Sequence, residues 1–188
     1  MRAFLGLALS PAARQSLHGL QQTLSAAGAD VTWVEPHRLH VTVKFLDEIT
    51  EQQRHSIESM VGDIARREQP MTLQLERVGA FPSLESPRVL WVGVGQGQEM
   101  VRRLAAAIEQ GSRQMGMPQE ERGFSAHVTI GRIRTPRGRA ALTQRLREIQ
   151  WASPPAWLVT SVTLYESVLA PAGPTYTVLA ELPLGTAG

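Results

Sequence analysis

Two tetrapeptides, His40-Val41-Thr42-Val43 and His127-Val128-Thr129-Ile130, stand 87 residues apart in a chain of 188. Each reads histidine, aliphatic, threonine, aliphatic. Successive side chains of a β-strand point to opposite faces. The aliphatic pair of each copy therefore goes to a core, while the histidine and threonine share the other face. The spacing is close to half the chain, as an internal duplication would give. Two such strands facing each other place two imidazoles and two hydroxyls around one small volume. That set suits in-line displacement at phosphorus: a neutral imidazole as base, an imidazolium as acid, and hydroxyls for the non-bridging oxygens.

The remaining composition narrows the setting. Apolar residues make up 43% of the chain, enough for a real core, and no apolar run is long enough to cross a membrane. With no cysteine, disulfides, thiolate chemistry and cysteine-based zinc sites are excluded, and a cytoplasmic location is expected. Arg2 followed by Ala3–Leu9 has only one charge and a short apolar run, with Pro11 opening a helix-like pattern behind it. Met1–Leu9 is therefore read as a first buried strand rather than a signal peptide. The whole chain, 1–188, is expected to form one domain of two intertwined lobes. Net charge is +2 but unevenly placed. Seven arginines and no carboxylate lie between Arg122 and Arg147, a footprint for a polyanion or simply a solvated face.

Strands are predicted over Phe4–Leu9, Val31–Val34, Leu39–Leu46, Met71–Leu75, Arg88–Val94, Phe124–Ile133, Trp157–Val168 and Thr175–Leu182. Four helices lie between them. Ser10 with Pro11 opens the first and Gly28 stops it; Thr50 to Gln53 has the form of a capping box for the second. Val101, Leu104, Ala105 and Ile108 mark the third, and Thr135-Pro136 opens the fourth. Ala80–Ser83 is read as a loop, and the glycines at 93, 95 and 97 as a turn, since they lack the spacing of a phosphate loop. Mixed connections with helices between strands predict an α+β fold with mainly antiparallel sheets.

The paired tetrapeptides resemble the motifs of the two-histidine (2H) phosphoesterase superfamily. Leu39-His40-Val41-Thr42-Val43-Lys44-Phe45-Leu46 is similar to the first-motif strand of its RNA 2′,3′-cyclic phosphodiesterases, also called 2′-5′ RNA ligases. Gly79-Ala80-Phe81-Pro82 and Pro87–Gly93, the opening strand Arg2–Leu9 and the ending Tyr176–Leu184 fit the same family, so the likeness runs from Arg2 to Leu184. The resemblance implies a bilobal fold, two antiparallel sheets with outer helices, and pseudo-twofold symmetry about a central cleft. It implies His40 as proton donor, His127 as proton acceptor, and Thr42 and Thr129 as phosphate ligands. It also implies metal-independent hydrolysis of RNA 2′,3′-cyclic phosphate ends to 2′-phosphates, with no cofactor. An RNA end or a small cyclic nucleotide would be the partner, with no membrane and no obligate protein partner.

An arginine often follows the second motif in the family, and Arg132 stands there, although strict alternation puts it on the core face unless a bulge at Gly131 re-aims it. Lys44 shares the parity of His40 and Thr42 and is expected either to reach the cleft's edge and a phosphate or to be a solvated strand-end lysine. Asp47 stands where many relatives have glycine and is expected to affect the turn, not the chemistry. Trp33, Phe124 and Tyr165 are candidates for base stacking or for core packing. His18, His37 and His55 are read as exposed; grouping His37, His40 and His127 around zinc finds no supporting carboxylate. Reverse 2′-5′ ligation, and an RNA-binding module with little turnover, are the competing readings.

Overall fold

The computed structural model describes residues 1–185; the last three residues of the 1–188 span lie outside the described ones. The strands are β1 Arg2–Leu7, β2 Val31–Trp33, β3 Val41–Glu48, β4 Met71–Leu73, β5 Leu75–Phe81, β6 Val89–Val94, β7 His127–Ile133, β8 Trp157–Val159, β9 Ser161–Val168 and β10 Thr175–Pro183. The helices are α1 Pro11–Ser25, α2 Glu51–Arg67, α3 Gln98–Gln114 and α4 Arg139–Glu148, with a 3-10 turn at Pro36–Arg38. The fold is α+β and every strand pair is antiparallel. One eight-stranded sheet has the order β10-β9-β1-β3-β7-β6-β5, with β2 also on β7; β4 and β8 form a small second sheet.

The strand order exposes the duplication. Strands β1 and β6 start at residues 2 and 89, α1 and α3 at 11 and 98, β3 and β7 at 41 and 127, and β5 and β9 at 75 and 161. These starts recur at close to the 87-residue spacing of the two motifs. Each repeat lends one strand, β5 or its equivalent β9, to the other's first strand. Strand β5 pairs with β6, and β9 pairs with β1. The equivalent strands β4 and β8 pair across the repeats. The sheet therefore consists of two antiparallel halves, β10-β9-β1-β3 and β7-β6-β5, and they meet only where Val41 pairs with Val128.

Local chemistry explains most element ends. The Ser10 hydroxyl accepts from the Ala13 amide, and Pro11 takes the first helical position of α1. Both bonds of the Thr50–Gln53 capping box are present at α2. Helices α3 and α4 begin instead behind Gly97 and Gly138, whose positive φ values of 84° and 70° suit glycine. Helix α4 thus starts three residues beyond Pro136, a shift from the sequence expectation. Two long predicted strands are cut: Met71–Leu75 breaks at Gln74 and Trp157–Val168 at Thr160. At each break the chain leaves the small sheet for the large one. Ala80 and Phe81 close β5 rather than lying in a loop, and β7 starts at His127, not Phe124.

Period-two alternation fails in the same place on both motif strands. On β3 the partner register skips from Thr42 to Lys44, and on β7 from Thr129 to Gly131. The residue after each motif threonine is thus a bulge, which flips the facing of the side chains beyond it. Gln21 braces the second bulge. Its side-chain amide, buried on α1, donates to the carbonyls of Ile130 at 2.8 Å and Val34 at 2.7 Å. Replacing Gln21 by Leu leaves the Val34 carbonyl without this donor, so urea denaturation should show a loss of about 1–3 kcal/mol. A change under about 0.3 kcal/mol would mean the brace carries no load.

Candidate active site between the two half-sheets

Val41 and Val128 are buried on the core face, so their flanking residues point to the opposite face. Antiparallel register about that pair sets His40 across from Thr129 and Thr42 across from His127. The two motifs therefore converge crosswise, each histidine meeting the other repeat's threonine. All four side chains are half-buried.

Each imidazole is oriented by the carbonyl two residues upstream. His40 Nδ1 lies 2.6 Å from the Arg38 oxygen, and His127 Nδ1 lies 2.7 Å from the Ser125 oxygen. A carbonyl can only accept, so Nδ1 carries the proton in both rings and Nε2 is the atom left for chemistry. His40 Nε2 meets the Thr42 hydroxyl at 2.9 Å, with the hydroxyl donating when the ring is neutral.

The walls behind the rings are aromatic. His40 stacks on Phe4 with centroids 4.7 Å apart, Phe4 stacks on Tyr165 at 4.9 Å, and Tyr176 meets His40 edge-on at 5.4 Å. Opposite, Phe81 meets His127 edge-on at 5.4 Å, and Trp91 lies at 6.3 Å. The Trp91 ring occupies the space a Cβ on Gly79 would need, which is why glycine stands there. Arg77 covers Trp91 with its guanidinium 5.8 Å from the ring centroid.

These walls set the electrostatics. Burial is the main cause that holds both histidines below the usual imidazole range. The Arg38 and Ser125 carbonyls oppose the shift; Arg14 and His127 deepen it at His40, and Arg132 deepens it at His127. Burial also raises the Tyr176 phenol, against the charges of Arg38, Arg132 and Arg2.

The bulges decide the two doubtful cations. Arg132 follows the β7 bulge and is exposed on the side where its charge acts on His127 and Tyr176, so the core-facing outcome of strict alternation does not occur. Lys44 requires a correction. The β3 bulge turns it away from His40 and Thr42 and into the core, where only 6% of it is exposed and its ammonium is paired with Glu109 at 2.5 Å. It is neither a phosphate ligand at the cleft nor a solvated strand end. Phe45, next in sequence, takes the outward facing that Lys44 was expected to have and is 57% exposed.

Of the remaining candidates, Tyr165 joins the wall behind His40; Trp33 lies over Gly131 and Phe124 packs against the core. His18, His37 and His55 are exposed, and among the described residues no three His, Asp or Glu side chains gather as a metal cluster. Asp47 adopts a left-handed φ of 54°, a conformation aspartate tolerates better than most residues and glycine best. No described helix is long and apolar enough to cross a membrane. A wide groove of about 840 Å³ between α2 and α3 lies away from both motifs. Sequence reasoning did not single out Phe4, Tyr176, Phe81, Trp91, Arg14 or Arg38. Parity around Gly6, opposite Thr42, and around Trp91, opposite Thr129, is the signal that finds Phe4 and Trp91.

Because burial lowers both imidazoles, an NMR titration of the ligand-free protein should place both midpoints below about 6.5. In the unfolded chain the rings regain ordinary affinity and bind protons first as pH falls through that value. Stability should therefore decline from about pH 6.5 downward until the folded rings also titrate. A midpoint above 6.5 for either ring would contradict this account of the walls.

The signature of the LigT like Phosphoesterase family matches this chain twice, over residues 7–91 and 92–176, once for each structural repeat. An RNA 2′,3′-cyclic phosphodiesterase of Methanothermobacter thermautotrophicus is 35% identical over 177 residues, covering 94% of this chain and 95% of that one. One from Aquifex aeolicus is 34% identical over 154 residues, 81% of each. Among solved structures, TT0787 of Thermus thermophilus aligns over 100% of both chains with a TM-score of 0.83 and 26% identity. The E. coli LigT structure complexed with 3′-AMP, at 24% identity and a TM-score of 0.78 over 98% of both chains, shares the fold. A doubled family signature on a doubled structure, with relatives of this identity and coverage, places the chain in the LigT like Phosphoesterase family.

Proposed function

We propose that this protein hydrolyses RNA 2′,3′-cyclic phosphate ends to 2′-phosphates, with His40 as general acid and His127 as general base. The observation that carries the reading is the matched pair of imidazoles. Each has Nδ1 spent on a main-chain carbonyl and turns Nε2 to the cleft, with the His40 Nε2 resting against the Thr42 hydroxyl, and each histidine lies opposite the other motif's threonine. The names of the relatives supply the substrate class.

Water attacks phosphorus in line with the bond to the 3′-oxygen. His127 Nε2 takes its proton, and the proton on His40 Nε2 passes to the departing 3′-oxygen. The Thr42 and Thr129 hydroxyls donate to the non-bridging oxygens, and Arg132 offsets the charge that builds on them. The proton on His40 Nε2 must turn from the Thr42 hydroxyl oxygen to the departing 3′-oxygen, while the single O–H of Thr42 donates to a non-bridging oxygen. Each step is served by protein groups, so the scheme requires no metal. By microscopic reversibility a 5′-hydroxyl can take the place of water and give a 2′-5′ linkage; the abundance of water favours hydrolysis.

The lowered free-enzyme values bear on the pH profile. His127 must be neutral and His40 charged, so kcat/KM should be bell-shaped with its optimum at or below about pH 6.5. In kcat the alkaline limb should move upward, because bound phosphate stabilises the His40 imidazolium. A flat profile from about pH 5 to 9 would count against the pair. His40→Ala and His127→Ala should each lower turnover of a cyclic-phosphate oligonucleotide by about 10²–10⁴-fold with unchanged circular dichroism. Product analysis that separates 2′- from 3′-phosphate tests the direction of ring opening. Bound but unchanged substrate would favour a binding module instead.

A further inference from the structure

Lys44 is the chain's single lysine against eighteen arginines, and it is buried two residues past the first motif threonine. Its ammonium donates to Glu109 Oε2 at 2.5 Å and to the Pro118 carbonyl at 3.3 Å. The other Glu109 oxygen, Oε1, accepts from the Glu120 amide at 3.1 Å. Burial alone would raise the Glu109 carboxyl, but the Lys44 and Glu120 hydrogen bonds and the charges of Lys44 and Arg113 outweigh it and hold it ionised. A slim stem ending in three donors fits this place; a planar guanidinium, built for bidentate contacts, does not reproduce it.

The segment these bonds hold leads straight to His127. Residues 117–126 contain no helix or strand. Among the described residues, the hydrogen bonds that tie 118–124 to the rest of the protein come from Lys44 and Glu109. The segment ends on the Ser125 carbonyl, which orients the His127 ring, and on Ala126, whose carbonyl accepts from Val94.

We infer that Lys44 and Glu109 form a positioning clamp for His127: the strand that directly follows His40 fastens, through α3, the approach segment that aims the second imidazole. Lys44 touches no reacting atom and acts through Pro118, Glu120 and the chain beyond them. The clamp also makes the two half-sites interdependent, because the first motif's strand sets the second motif's ring. The inference rests on the proposed hydrolysis only where turnover is the readout.

A Lys44→Met/Glu109→Leu double variant separates positioning from bulk stability, since an apolar pair of similar size replaces a partly buried ion pair at little cost. Its melting temperature should stay within a few degrees of the parent. Its kcat on a cyclic-phosphate dinucleotide should fall about tenfold or more, with KM within about twofold. Imidazole ¹⁵N–¹H correlation spectra should show His127 losing its single Nδ1-protonated form while His40 keeps its own. Glu120→Pro, on the exposed segment, removes one fastening and leaves the ion pair intact; it should lower kcat by about two- to fivefold and loosen the His127 tautomer, and it decides the matter if the double variant does not fold. Parent-like kcat and tautomer in the folded variants would overturn the clamp and leave the pair a structural feature. If the parent protein itself leaves cyclic phosphates unopened, the proposed function falls, and the His127 spectrum still tests the clamp.

Discussion

Val41 and Val128 form the one residue pair through which β3 and β7 join, and the site depends on that economy. A longer ladder would zip the half-sheets into a continuous surface, with side chains standing parallel and apart. A single pair on the buried face holds the strands at one point and lets them diverge on either side. Antiparallel pairing at that point then fixes which residues meet: each histidine opposite the other strand's threonine. The hydrophobic effect supplies the hold, because both valines are fully buried and their strands are packed on opposite repeats. The exchange of β5 and β9 between repeats adds a second lock, since neither half-sheet consists of one repeat alone.

Much of this was legible in the sequence, because the governing rule is simple. The histidine–aliphatic–threonine–aliphatic pattern fixes which side chains face the core wherever a strand stays regular, and it correctly separated Val41 and Val128 from His40, Thr42, His127 and Thr129. Helix α2 was equally readable from Thr50 and Gln53, since a capping box is a local device. The events that break the period could not be read. The bulges at Val43 and Ile130 depend on partner strands β1 and β6 and on the Gln21 brace, all distant in sequence. One register slip flips every later side chain on the strand. Hence Lys44 was placed outward and lies inward, while Arg132 faces outward despite its parity. The breaks at Gln74 and Thr160 failed for the same reason, as a strand that changes sheets keeps its local propensity.

The bulges also show where the two repeats have parted. The anchoring carbonyls of Arg38 and Ser125 occupy equivalent places, as do the histidines, threonines and bulges. Just beyond, Phe45 stands on one strand where Arg132 stands on the other. The pair with the shared geometry is thus set between unlike walls. One is an aromatic stack of Phe4, Tyr165 and Tyr176; the other combines Phe81 and Trp91 with the cations Arg77 and Arg132. Identical rings in unlike surroundings can hold different protonation states at one pH, which an acid–base pair requires.

That asymmetry bears on why a site that depresses both imidazoles can still contain an acid. Without substrate, burial disfavours charge on either ring, and among the described residues no carboxylate contributes to either shift. A phosphodiester brings a negative charge into the same poorly solvated space, where Coulomb attraction is several-fold stronger than in water. In the proposed scheme the desolvation that lowers His40 amplifies its attraction to the substrate, so the proton is taken up as the anion arrives. In the same scheme the Arg132 charge opposes proton uptake at His127, which keeps Nε2 available to accept from water. Donor and acceptor in the proposed scheme then differ through their surroundings, with Arg14 and His127 acting on His40 and Arg132 on His127, while the anchoring of the two rings is the same.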